Sequence, residues 1–213
     1  MENKEKVQDL IIGLREHFAE TAHTYWSLHS DPSSWQFWFV ASNLILPLIV
    51  LFFAVDRRKI FVLFFFGYSV HMLWTYTDIA LENWAYFLHH HFIFPFLPMG
   101  FNVSASLLPV SFILLYQYCI NHNKNFLLLS IALCAAFAFG FAPLEKAIGV
   151  LELRKGMNYF HVFLIDISVT YAAYGMTKLV LAFHRSSQRE DNDEGRSSGR
   201  VEFRERFSRR ART

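Results

Sequence analysis

The sequence predicts an all-α integral membrane protein: a helical bundle of about five transmembrane helices, an N-terminal amphipathic helix and a disordered C-terminal tail. Three observations carry this. The 213-residue chain is 54% hydrophobic and only 18% charged, with 24 Phe, whereas soluble domains carry about a quarter charged residues. Its charges gather at the two ends and in short loops, with long apolar runs between. Runs such as "LILPLIVLFFAV" and "IFVLFFFG" do not alternate as barrel strands do. Lipid offers backbone amides and carbonyls no partner, so these runs must be helices.

Residues 1–34 are the amphipathic N-terminal segment. "EKVQDLIIGLREHFAETAHTYWSLH" is too charged to span, yet Leu10, Ile11, Leu14, Phe18, Ala22 and Tyr25 recur at helical spacing. Such a helix lies on a membrane surface or covers the bundle, and "SDPSS" ends it. The chain starts with the polar "ENKEK" rather than a short basic stretch and an apolar core. No cleavable signal peptide is expected, and the first span directs insertion.

The transmembrane bundle covers residues 35–183, with spans at about 35–55, 60–80, 103–120, 126–143 and 159–183. Each is near the ~20 residues that cross a bilayer core. Pro47 and Pro109 fall inside spans, where proline marks kinks. Cys119 and Cys134 lie in or at the end of apolar runs and read as small hydrophobic residues, not a disulfide.

Lys and Arg set the orientation. "DRRK" at 56–59, "NHNKN" at 121–125 and "HRSSQR" after the fifth span share one side and make it the basic one. That side is read as cytoplasmic in a cell membrane, with the N-terminus outside and the C-terminus inside. Lys4, Lys6, Arg15, Lys146, Arg154 and Lys155 oppose this assignment from the other side. Trp26, Trp35, Trp38, Trp74 and Trp84 all fall at or near the outer side, as residues of a membrane interface would.

Residues 184–213 hold Ser, Gly, acids and nine arginines with few apolar residues, a composition that predicts disorder. Phe203 and Phe207 lie one helical turn apart among arginines and suit an anionic lipid surface. The alternative is a solvated tail whose arginines only set topology. The lipid bilayer is the expected partner, and no nucleic acid is.

Ionisable residues inside spans are costly and point to function by default. On the second span His71, Thr75, Asp78 and Glu82 follow at spacings of four, three and four, which puts them on one helical face. Glu145 near the end of the fourth span, and His161 and Asp166 early in the fifth, fall at similar depth in the outer half. His71, Asp78, Glu82, Glu145, His161 and Asp166 therefore make a candidate polar pocket. The other reading separates them. Glu82, Glu145 and Lys146 would then sit at the interface, with Glu145 or Lys146 snorkelling to water, and the rest would pair to hold helices together.

His89, His90 and His91 lie between the second and third spans, in "NWAYFLHHHFIFPFLP". Three consecutive residues cannot all reach one ion from a helix, and a strand splits them between two faces. A zinc site needs about four ligands, and no spaced His or Cys pair supplies them. No metal or other cofactor is therefore expected, and the three histidines are the only weak candidates. The stretch reads instead as a re-entrant or surface-lying turn broken at Pro95 and Pro98. Phe87, Phe92, Phe94 and Phe96 would dip into the headgroups while the histidines face water. The open question is whether one of them reaches Glu82, Glu145 or His161.

"DRRK", Asp78, "WAY" at 84–86, Pro95 and Pro98, "LLPV" at 107–110, "LYQY" at 115–118 and an acid after "FGFAP" follow in an order with a known counterpart. Over about residues 35–180 the chain resembles a family of small, uncharacterised multispan membrane proteins of spore-forming Gram-positive bacteria. The resemblance implies an integral membrane fold and no particular activity. It departs from the family pattern at Pro143–Leu144–Glu145, where Glu-Pro is expected, and at Asn102, near which an Asp is expected. "PLEK" at 143–146 is also similar to the Pro-x-Glu-Glu stretch of membrane carotenoid cyclases, with Lys146 in place of the second acid.

Three functions compete. The first is a non-enzymatic membrane protein with an envelope or spore-membrane structural or sensing role. The second is a small transporter or ion-binding protein using the outer-half carboxylates. The third is a membrane enzyme acting on a lipid or isoprenoid, with Asp78 or Glu145 as general acid or base. No nucleophile motif, phosphate loop or internal repeat favours the enzyme or a common transporter, so the first leads and no catalytic residue is assigned.

Overall fold

The computed structural model describes residues 2–210. Side chains of Glu2, Arg185 and residues beyond Ser186 lie outside the described set. The chain divides into two compact units, Met1–Ala173 and Tyr174–Thr213.

Five helices are long and apolar enough to cross a membrane: Trp35–Ala54, Arg57–Asn83, Val103–His122, Phe126–Ala147 and Tyr159–His184. The chain is an all-α, multi-pass membrane protein. The second and fourth spans run further than the sequence predicts. Glu82 and Glu145 thereby belong to helices rather than to loops.

The first unit opens with α1 (Glu2–Tyr25) and a π-helical turn, Trp26–Ser30. Asp31 and Ser34 then turn the chain, and the Ser34 hydroxyl accepts from the Phe37 amide to cap α2 (Trp35–Ala54). Span two is a 3-10 turn, Arg57–Lys59, followed by α3 (Ile60–Asn83). Asp56 caps that turn. The loops at 56–59 and 121–125 meet at one end of the bundle. There the Gln117 amide donates to Ala54 O at 2.8 Å and accepts from the Asp56 N–H at 2.7 Å, and Lys59 donates to Asn121.

Span three is a π-helical turn, Val103–Leu107, then α4 (Leu108–His122). Span four is α5 (Phe126–Ala136), another π-helical turn, Phe137–Phe141, then α6 (Ala142–Ala147). The π turns of spans three and four each end two residues before a proline, Pro109 or Pro143. Proline supplies no amide to the carbonyl four residues back, and its ring crowds that carbonyl. The wider π turn accommodates both effects. The Leu108 amide accordingly bonds to Val103 O, which leaves Ser104 O free for a side chain.

At the opposite end of the bundle lies an element the sequence reading missed, a two-stranded antiparallel sheet. β1 (Phe87–His89) pairs with β2 (Leu151–Leu153), with Leu88 opposite Glu152. Gly149, at φ +77°, makes the turn that carries α6 into β2. The Arg154 amide reaches Tyr86 O at 2.9 Å, and the His90 amide reaches Val150 O at 2.9 Å.

This sheet overturns the surface-turn reading of 87–92. Phe87 and Phe92 are buried in the protein, while Phe94 and Phe96 are exposed. The histidines do not share a watery face, because a strand points successive side chains to opposite sides. Trp74 also departs from expectation: it is buried inside the bundle rather than placed at an interface.

α7 (Tyr159–Arg210) supplies span five. Its first part belongs to the first unit, where Val162, Asp166, Val169, Thr170 and Ala173 are buried. Tyr171 donates to Leu127 O at 2.9 Å. In the second unit the helix continues from Tyr174, with the Lys178 ammonium over the Tyr174 ring at 5.2 Å. The tail at 184–213 has helical backbone as far as Arg210. Its expected disorder and its Phe203–Phe207 lipid contact fall on side chains outside the described residues. Cys119 and Cys134 are both free and buried.

Candidate functional site

Span alternation and the π turns leave a cavity of about 50 Å³ at the sheet end of the bundle. Its apolar walls include Phe87 of β1, Leu151 of β2, and Phe137 and Phe141 of the π turn in span four. Val103 and Ser104 come from the π turn in span three. π turns recur at functional sites because they break helical register where a side chain or ligand needs room, and here two of them face one cavity.

Three acids from three spans reach it: Asp78 of α3, Glu145 of α6 and Asp166 of α7. They are 4%, 3% and 1% exposed. Each has one oxygen with no hydrogen-bond partner among the described residues: Asp78 Oδ2, Glu145 Oε1 and Asp166 Oδ2. Buried polar atoms are nearly always paired, so three orphaned carboxyl oxygens on one cavity mark a place prepared for something else. Asp166 Oδ1 is held by the Trp74 indole N–H at 3.1 Å.

The fourth ionisable wall is His89, whose side chain is 6% exposed. Glu82 holds it from the last turn of α3. Its Oε1 accepts from the His89 backbone N–H at 3.1 Å and pairs with the ring Nδ1. The ring's other nitrogen lies above Gly100. A Cβ there would stand 2.6 Å from His89 Nε2 and 3.3 Å from Asp78 Oδ2, so only glycine lets these two side chains approach the cavity from one side. Burial disfavours the charged ring. The Glu82 hydrogen bond and the Asp78, Glu82 and Glu145 carboxylates outweigh this and push His89 up to about 9. At neutral pH the ring is an imidazolium.

The expected pocket is thus assembled in part. Asp78, Glu145 and Asp166 meet in it, and Glu82 stands behind it through His89. Lys146, beside Glu145, is exposed. His71 does not line the cavity. Its Nδ1 lies 3.0 Å from Ser104 O, the carbonyl released by the π turn, and 3.3 Å from Thr75 Oγ1. His161 is also outside: it is exposed and its Nδ1 lies 2.9 Å from Asn158 Oδ1, within the N-terminal turn of α7. One turn of helix separates it from Asp166, but the two face different sides.

Sequence reasoning missed the role of Trp74, and it asked whether one of the three histidines reaches Glu82 without singling out His89. Trp74 lies four residues before Asp78, on the same helical face, so its place could have been read. Nothing local marks His89 among three histidines. His90 Nε2 pairs with Glu152 at 3.1 Å in partly exposed surroundings, and His91 Nδ1 lies 3.4 Å from the Ser30 hydroxyl. Burial and the neighbouring His90 lower His91. Among the described residues no three His, Cys, Asp or Glu side chains are placed to hold a metal ion.

No protein-family model, curated protein or solved structure matches the chain.

Proposed function

We propose that this multi-pass membrane protein binds protons at the Asp78–Glu145–Asp166 cluster. The ion-binding reading thereby moves ahead of a purely structural one. The observation that carries it is the convergence of three buried acids, each with an orphaned oxygen, on one small cavity. With Glu82 there are four carboxyl groups beside one imidazolium. Fully ionised, the group would hold an uncompensated negative charge in a low-dielectric interior, which costs several kcal/mol per ion. Proton uptake removes that charge and gives each orphaned oxygen a hydrogen to share. The cluster's charge, and with it the packing of three spans, then follows proton availability at the sheet end. This is a basis for sensing or for coupled transport.

A cavity of about 50 Å³ has room for a few waters, since one needs about 10–15 Å³ of such space.

The test is infrared spectroscopy of the purified protein in lipid, following the C=O stretch of protonated carboxyl groups through a pH titration. Asp78→Asn, Glu145→Gln and Asp166→Asn are each expected to remove part of a titrating band. If the wild type shows no such band, or the three variants leave it intact, the cluster binds no protons. The acids would then be structural.

A further inference from the structure

The cavity and a surface groove share one ionisable side chain. His89 lines the cavity and also a groove of about 250 Å³ beneath α1. Phe18, Thr21 and Tyr25 of α1 form one side of that groove, and Glu82, Leu88 and His89 stand on the other. Glu82 also lines a neighbouring, larger groove of about 630 Å³ between α1 and the end of α3. The chain after α1 is pinned over this region. The Trp26 indole donates to Phe92 O at 3.0 Å, and the Ser30 hydroxyl donates to His90 O at 2.9 Å.

We propose that protons enter and leave the acid cluster through the groove beneath α1, with His89 as the carrier and Glu82 as its positioning residue. This rests on the proton-binding reading and names the route that the site uses. The carrier step balances as follows. The charged ring releases Nε2–H across one cavity water to the Asp78 carboxylate, so an N–H bond breaks and an O–H bond forms. A hydronium ion in the groove then returns a proton to the neutral ring and is left as water, so the ring is charged again and the cluster has gained one proton. Groups facing the ring are Glu82 and Asp78 from α3, Glu145 from α6 and the adjacent His90. Glu82 holds Nδ1 and so aims Nε2 at the cavity. Gly100 keeps that approach clear. The rival entry is His71, which reaches Ser104 on the cavity wall from mid-span.

The experiment times deuteration of the buried carboxyl bands after rapid dilution of the protein in lipid into heavy water. His89→Gln is expected to slow exchange about a hundredfold, the lower end of what a positioned proton carrier contributes. Glu82→Gln, which keeps the ring but not its orientation, is expected to slow it less, and His71→Phe not at all. Thr21 is exposed and offers a variant that does not disturb the core. Thr21→Cys should exchange like wild type, and should slow once a bulky maleimide is attached; the native Cys119 and Cys134 are buried and stay unlabelled. Bands that exchange at the wild-type rate in His89→Gln and in labelled Thr21→Cys would overturn the route and leave proton binding standing. Slowing in His71→Phe alone would also overturn it. Absence of the bands in wild type would remove the proton-binding reading itself.

Discussion

Glu82 grips His89 at two points, through the backbone N–H at 3.1 Å and through the ring Nδ1. A carboxylate at the end of one span thereby fixes both the last residue of β1 and the direction of an imidazolium. The pair joins residues only seven apart, but it works because β2 and Gly100 close around it.

That relationship has a pH signature. His89 is raised from 6.5 to about 9 in the folded protein. A group whose folded value is raised contributes stability in full below its unfolded value and loses it as pH climbs through the folded one. Thermal stability should therefore fall as pH rises from about 6.5 to above 9, by on the order of 3 kcal/mol. Glu82→Gln should be less stable at neutral pH and show a flatter profile. Melting curves in detergent across this range check both, and an unchanged profile in the variant would show that Glu82 does not set the His89 charge.

Gly100→Ala should mimic loss of the imidazole. Its new methyl would meet His89 Nε2 at 2.6 Å, well inside contact distance, so the ring must leave the cavity or the loop must move. The expected result is ~1–3 kcal/mol of lost stability with the alkaline decline of the wild type absent. A melting-temperature series against pH reads the two effects separately.

Trp74 and Asp166 hold span five to span two. Trp74→Phe leaves Asp166 without its indole donor and should cost about 1–3 kcal/mol. Adding Asp166→Leu should recover part of this, because removing both polar partners costs less than stranding one. If the double variant melts below Trp74→Phe, Asp166 has a further partner.

Gly67 of α3 meets the Ile113 side chain of α4, which leaves no space for a Cβ. Gly67→Ala should destabilise by ~1–3 kcal/mol, and Ile113→Val should relieve part of that in the double variant. Unfolding titrations of the four proteins give the coupling.

Topology predicts a labelling pattern. With the N-terminus outside, His90→Cys should react with an impermeant thiol reagent on intact cells, and Ser186→Cys should react only after lysis. The reverse pattern would put the sheet end in the cytoplasm and the proton groove with it.

Much of the site was legible because its signals are local. The four-three-four spacing of His71, Thr75, Asp78 and Glu82 marks one helix face, and the depths of Glu145 and Asp166 follow from counting along their spans. That counting gives depth but not rotation about the helix axis. His161 shares a depth with Asp166 yet faces solvent, and His71 shares a face with Asp78 yet turns to a π-turn carbonyl. Pro109 was visible as a kink inside its span, and Pro143 only as the end of the fourth. That both would widen a turn onto the same cavity was not, since it depends on how spans three and four pack.

By itself the sequence determined the five spans, the membrane setting and the identities of the acids, because apolar length and charge placement answer to lipid along one chain. Tertiary structure alone decided that His89, not His90 or His91, joins those acids. Three neighbouring imidazoles are chemically equivalent until a strand partner 62 residues away sets which one turns inward. The same closure gives Gly100 its purpose and turns separate polar residues into one buried, charge-coupled site.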